Sequence, residues 1–261
     1  MSISFRRLIG SLFISFAAAL IGMAQSTPDR PKSEVEFHAT YSVPSGEANF
    51  NGGNSGSNID FSKDFNFQNV WGFRVRYAYR SPDGKHKIQA EYDNTTWDRN
   101  TTLSRSITFL GQTYVANLNL DSQFKLRYFR AMYSYRWGTD KIRFGPMADM
   151  GVITTRLNIT GTTNNGTRTT EGSISKFAAT LGYDLDYYPD PRFSIFHNLG
   201  AIAFQGEHLF HVEGGLKYYP SRHIGVVGGY RYQRYKVTKD DNFILTRAHG
   251  PFIGGLFRFR N

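Results

Sequence analysis

Cysteine is missing from all 261 residues, which excludes disulfides, thiol nucleophiles, cysteine-ligated zinc and a lipidated cysteine anchor. Long apolar runs are missing too. Beyond the N-terminal leader, no stretch reaches the roughly 18 apolar residues that a membrane-crossing helix needs. That leaves open a membrane barrel, whose strands carry a much weaker hydropathy signal. Acid is in deficit, with 21 Asp and Glu against 31 Lys and Arg, a formal charge of +10. Such a balance favours anionic partners such as acidic lipids or lipopolysaccharide phosphates. Nucleic acid is not expected as a partner, because the basic residues are spread along strands instead of forming a patch. Aromatic residues, by contrast, are plentiful at 16%.

The leader reads as a secretory signal peptide over residues 1–24. Arg6 and Arg7 form its basic part, Leu8 to Met23 its uncharged apolar part, and Gly22 and Ala24 a small-residue cleavage site before Gln25. Residues 25–33, with Pro28 and Pro31, read as a flexible lead. From residue 34 to 261 the pattern is strand after strand with no helical period, which predicts one all-β domain.

Alternation of side chains between faces places the strands. Val35, Phe37, Ala39 and Tyr41 oppose Glu36, His38 and Thr40. Trp71, Phe73, Val75, Tyr77 and Tyr79 oppose Gly72, Arg74, Arg76 and Arg80. Ile88, Ala90 and Tyr92 oppose Lys87, Gln89, Glu91 and Asp93. A fourth strand over 118–137 loses its phase near Tyr128 and Phe129, as a bulge would make it do. The fifth, 141–158, sets Arg143 and Asp149 against Ile142, Phe144 and Val152. The sixth sets Phe177, Leu181, Tyr183 and Leu185 against Lys176, Thr180, Asp184 and Asp186. The two faces of the seventh, 192–204, do not separate. The last three strands fall at 208–219, 224 onward and 250–259, about ten in all, with eight or twelve as alternatives.

Connections at 81–84, 138–140, 189–191 and 220–222 are short; those at 44–66, 98–117 and 159–172 are long and polar. Residues 98–117 also carry alternating pieces that predict a hairpin standing out from the body. Alternating short and long connections fit tight turns at one rim of an up-and-down barrel and larger loops at the other. Tyr77, Tyr79, Tyr133, Tyr135, Trp137, Tyr183, Tyr187, Tyr188, Tyr218, Tyr219, Phe257 and Phe259 lie at strand ends beside the short turns. An aromatic belt at a membrane interface predicts that placement.

A soluble ligand-binding barrel shows the same alternation turned inside out. The leader, the aromatic strand ends and the glycines on the charged face (Gly72, Gly145, Gly182, Gly215, Gly229, Gly254) favour the membrane version, apolar face to lipid and charged face to the lumen. The stretch VEGGLKYYPSRHIGVVGGYRYQRY and the terminal GPFIGGLFRF resemble the small outer-membrane β-barrel superfamily of Gram-negative bacteria, the OmpA-like and porin-like compact barrels. That resemblance implies a transmembrane antiparallel barrel in the outer membrane, in contact with its lipid and lipopolysaccharide. It also implies an aromatic terminal strand read by the insertion machinery, here Phe257 and Phe259, although Arg260 and Asn261 extend past them.

The expected lumenal charges are Arg74, Arg76, Lys87, Glu91, Asp93, Arg143, Asp149, Asp184, Asp186, Glu213, Lys217, Arg231 and Arg258. Both signs are present, so pairing is expected, because an unpaired charge in a narrow interior is costly. Two lumens fit this set, a packed polar core or a narrow pore with charged rungs. For catalysis, the candidates are His211 and Glu213, a base and its orienting carboxylate two residues apart on one strand face. A lipid A-modifying hydrolase is the activity they would suit, but no serine motif accompanies them. No cofactor and no metal site is expected; His208, His211 and Glu213 form only a weak ligand pattern. The Asn-, Thr- and Gly-rich loops are the expected place for an external ligand.

Overall fold

The computed structural model describes residues 32–51, 56–163, 166–204 and 207–259. The leader and most of the flexible lead fall outside them, as do Gly206, Arg260 and Asn261. Ten strands form the body: β1 (Ser33–Asn49), β2 (Val70–Arg80), β3 (His86–Thr102), β4 (Asn119–Tyr135), β5 (Ile142–Thr163), β6 (Gly166–Asp190), β7 (Phe193–Phe204), β8 (Glu207–Tyr218), β9 (Ile224–Lys239) and β10 (Asn242–Phe259). Each pairs antiparallel with its neighbours in sequence. β10 returns to β1, from Ser33 opposite Phe259 to Asn49 opposite Phe243, and this closes the ring. Among the described residues there is no helix. The protein is an antiparallel up-and-down barrel.

Ser33 and Phe259 lie at the rim of short turns. The opposite rim carries the long connections. There β1, β3, β5, β6 and β10 run further than the pattern predicts. The stretch 159–172, expected as a polar loop, is largely the top of the β5–β6 hairpin, in register from Gly166 opposite Thr163 downward. Residues 107–114 do form a small hairpin, Ile107–Phe109 with Gln112–Tyr114. It does not stand out from the body, because Ile107, Phe109 and Tyr114 are buried.

The barrel has two storeys of opposite polarity. In the storey next to the short turns, apolar side chains face outward: Phe37, Phe73, Ile88, Tyr133, Phe144, Leu181, Leu216, Val226 and Ile253 are all exposed. Charged side chains of the same strands face inward and are buried. This inverts a water-soluble protein and suits a hydrocarbon surround. Tyr77, Tyr79, Tyr135, Trp137, Tyr218, Phe257 and Phe259 ring its lower edge, and Trp71, Tyr92, Phe129 and Tyr230 its upper edge, the aromatic girdles of a transmembrane barrel. Tyr188 and Tyr219 do not join the lower girdle; both are buried, and the Tyr219 hydroxyl donates to Glu34 Oε2 at 3.0 Å.

In the storey next to the loops, the faces exchange roles. On β4, Leu120, Phe124, Leu126 and Tyr128 point inward while Asp121, Gln123, Lys125 and Arg127 point outward. Below Tyr128 the inward residues are Arg130, Met132 and Ser134, and the outward ones Phe129, Ala131 and Tyr133. The strand keeps perfect alternation and its register with β3 and β5 throughout. The expected slip at Tyr128–Phe129 is therefore a change of surroundings on an unbroken strand, the level at which lipid ends. The rule of apolar-out and charged-in holds for the lower storey and is reversed in the upper one.

On β7, Phe193, Ile195, His197 and Leu199 take the outward phase, and Ser194, Phe196, Asn198 and Gly200 the inward.

Candidate functional site

The lumen of the lower storey is a stack of ion pairs spanning the bore. Nearest the short turns, Lys217 Nζ on β8 donates to Glu34 Oε1 at 2.5 Å and to Glu36 Oε1 at 2.6 Å on β1. Lys87 Nζ on β3 reaches Asp184 Oδ1 on β6 at 2.8 Å, and Arg136 donates to Asp186 Oδ2 at 2.5 Å. Arg80 lies between Glu34 and Asp186 at 3.8 and 3.7 Å, and Arg258 stands 3.7 Å from Glu34. One layer up, Arg76 Nη2 donates to Glu91 at 2.6 Å and to Glu213 Oε1 at 2.9 Å. Arg74 pairs with Glu213 and His38, Arg130 with Glu91 at 2.9 Å, and Arg231 with Asp93.

Among the described residues, Arg74, Arg76, Arg80, Lys87, Arg130, Arg136, Lys217, Arg231 and Arg258 meet Glu34, Glu36, Glu91, Asp93, Asp149, Asp184, Asp186 and Glu213. The two sets nearly cancel, and every one of these cations lies within ion-pair distance of a carboxylate. Of the residues expected in the lumen from sequence, Arg143 stands apart. It keeps the inward phase but sits at the rim of short turns, 3.6 Å from Asp140. Glu36 and Arg80 lie on the face that alternation assigns to the lumen, though outside the expected charge set, whereas Glu34, Arg130 and Arg136 have no counterpart in the sequence reading. Arg130 follows directly once the phase of β4 is continued through Phe129.

Above the charges lies an aromatic plug. Trp97 stacks on Phe124 with ring centres 5.5 Å apart, and Phe124 meets Phe61 at 4.7 Å. Phe61, Phe65 and Phe67 come from the β1–β2 connection, which folds back into the mouth, and Phe50 packs edge-on against Phe109 at 5.1 Å. Leu120, Leu157, Ile159, Ile174, Val237 and Ile244 complete it from the wall. The two long connections are bolted together by Arg105, whose Nε and Nη2 donate to Asp64 at 2.8 and 2.6 Å. Those hydrogen bonds hold the guanidinium above its ordinary pKa. Sequence reading missed the plug because the loop phenylalanines have no strand period to betray them.

The structure does not assemble His211 and Glu213 into a catalytic pair. Both point into the lumen, but Glu213 is taken up by Arg74 and Arg76. His211 is 1% exposed and lies 3.5 Å from Asp149 Oδ2, which itself accepts from the Thr180 hydroxyl at 2.7 Å. Neither ring nitrogen of His211 has a hydrogen-bond partner. His208 falls on the opposite face of β8, so it cannot converge with His211 and Glu213 on a metal. Phe257 and Phe259 face outward beside the β1–β10 seam, and Phe257 meets Phe37 at 6.5 Å.

No known protein family matches the chain, and no curated protein is similar to it in sequence. Solved structures are similar in fold. The outer-membrane protease OmpT of Escherichia coli superimposes with a TM-score of 0.60 at 11% identity, over 91% of this chain and 99% of that one. The translocator domain of the autotransporter NalP from Neisseria meningitidis gives 0.47 at 10% identity, over 98% and 96%. The attachment protein Ail of Yersinia pestis gives 0.38 at 14% identity, over 87% and 99%. At such identity the first likeness speaks for the fold alone, that of an outer-membrane β-barrel.

Proposed function

We propose that the protein is a non-conducting integral barrel of the bacterial outer membrane, a scaffold that carries a rigid polar wall and loops above the lipid for binding at the cell surface. The observation behind this reading is the stacking of two closures in one bore, the Trp97–Phe124–Phe61 plug above a nearly neutral set of cross-lumen ion pairs. A solute would have to displace both. Short turns face the periplasm in this reading and the long connections face outward, with the leader 1–24 directing export and Phe257 and Phe259 serving the insertion machinery. Hydrolysis of lipid A is disfavoured by the position of His211, sealed beneath the plug and without a hydroxyl nucleophile bonded to it. A soluble barrel is disfavoured by the exposed apolar belt.

Planar-bilayer recording of the purified full chain tests the proposal. The expected result is a flat trace, both from the unaltered protein and when Phe61 and Phe65 are replaced by serine, because the ion pairs beneath still fill the bore. Regular steps from the unaltered protein would overturn it.

A further inference from the structure

The outer wall formed by β3, β4, β5 and β6 changes character in three successive rows. The last apolar row is Tyr92, Phe129, Val152 and Phe177, directly opposite one another across the four strands and all exposed. The next two rows are Asn94–Arg127–Thr154–Ser175 and Thr96–Lys125–Arg156–Ser173. Above them come Asp98–Gln123–Asn158 and Asn100–Asp121–Thr160, which line an open groove.

The middle rows hold a conflict. Lys125 stands directly opposite Arg156 on the same face, with Arg127 one row below on β4. Like charges directly opposed across a sheet are destabilising. Glu171 answers Arg156 at 3.2 Å, but among the described residues no carboxylate lies within ion-pair distance of Lys125 or Arg127. The same conflict recurs on the far wall, where Arg234 faces Arg247. Cations that would repel each other in water are accommodated where an anion lies between them. At this level, immediately above an apolar band, the anion at hand is a lipid headgroup.

We propose that Lys125, Arg127 and Arg156 bind the phosphate of an outer-leaflet glycolipid. Its acyl chains lie against Phe129 and Val152, and its sugars enter the groove lined by Asp98, Asn100, Asp121, Gln123, Asn158 and Thr160. The order up the wall, apolar then cationic then rich in amides and carboxylates, matches acyl chain, phosphate and sugar in sequence. Thr96, Thr154 and Ser173 supply hydroxyl donors beside the cations, and the Asp98–Gln123 and Asn100–Asp121 hydrogen bonds of 2.5 and 2.7 Å present a fixed polar floor to a pyranose. The inference rests on the outer-membrane reading above.

Native mass spectrometry of the full chain in zwitterionic detergent tests it, with diphosphorylated lipid A, the same lipid after dephosphorylation, and inorganic phosphate as probes. The unaltered protein should hold the phosphorylated lipid and release the dephosphorylated one; this comparison needs no variant. Each surface cation near an anionic headgroup is worth about a fivefold change in binding, so Lys125→Gln with Arg127→Gln should weaken it by about 25-fold. Arg234→Gln with Arg247→Gln on the far wall, away from the groove, should weaken it by less than about threefold. Equal loss in both variants would reduce the site to diffuse charge attraction and overturn the proposal, as would equal retention of the dephosphorylated lipid. Displacement of the lipid by equimolar inorganic phosphate would overturn the lipid assignment. Failure of the chain to insert into bilayers would remove the membrane reading itself; insertion without discrimination removes only the lipid site.

Discussion

Lys217 and Glu34 meet at 2.5 Å across the bore, from strands that are not neighbours in the ring. The ammonium also holds Glu36, so one cation keeps two buried carboxylates apart. Removing one partner of a buried pair leaves the other uncompensated. Lys217→Met should therefore destabilise the barrel by about 3–5 kcal/mol. Adding Glu36→Gln should recover part of that loss, whereas Glu34 still has Arg80 and Arg258 as partners. Urea titration in micelles, read by the gel-mobility shift between folded and unfolded barrel, measures both.

Trp97 is fully buried, whereas Trp71 and Trp137 are 62% and 46% exposed on the outer wall. In bilayers doped with brominated lipid, single-tryptophan variants retaining Trp71 or Trp137 should be quenched and one retaining Trp97 should not. Trp97→Ala should cost about 3–5 kcal/mol, the usual loss for a buried tryptophan.

Leu181 and Ser173 both face outward on β6, one within the apolar band and one above it. Leu181→Arg should lower folding stability in vesicles by about 2–4 kcal/mol, and Ser173→Arg by about 1 kcal/mol or less. Equal penalties would mean that the lipid boundary does not run between them.

The β1–β2 connection carries a pH-sensitive turn. Burial works to raise the Asp60 carboxyl, but the hydrogen bonds it accepts from Ser62 and Lys63 outweigh this and leave its pKa below the ordinary aspartate value. A carboxyl whose folded pKa is lowered stabilises the fold above its unfolded pKa and loses that contribution as pH falls through the folded value. Amide exchange at Ser62 and Lys63 should thus accelerate as pH drops below about 4, after correction for intrinsic rates. Asp60→Asn should flatten that dependence.

Much of the lower storey was readable because lipid and lumen impose a strict period of two. Arg74, Glu91, Asp184, Glu213 and Lys217 all fell on their true face on that basis. The upper storey was not readable in the same way. On β4 the inward side passes from Arg130 to Tyr128 to Phe124 while the outward side passes from Phe129 to Arg127 to Gln123. A hydrophobicity pattern that assigns one polarity to one face must interpret this as a slip. The phenylalanines of residues 61–67 escaped for another reason, since a loop that packs inward has no repeating geometry. His211 and Glu213 were correctly placed on one face, but which ion pairs would occupy them depends on β1, β2 and β5, distant in sequence.

The change of polarity partway up each long strand has a consequence for biogenesis. Both Ser33 and Phe259 lie at the rim of short turns. If the chain enters the membrane from that side, the hydroxyl-, amide- and charge-bearing ends of β3, β4, β5 and β6 must traverse hydrocarbon before Trp97, Phe124 and Phe61 can find one another. Sealing of the mouth is then the final event of maturation. A nascent barrel that has threaded its hairpins without yet swallowing its phenylalanines should be briefly open to external protease at its mouth.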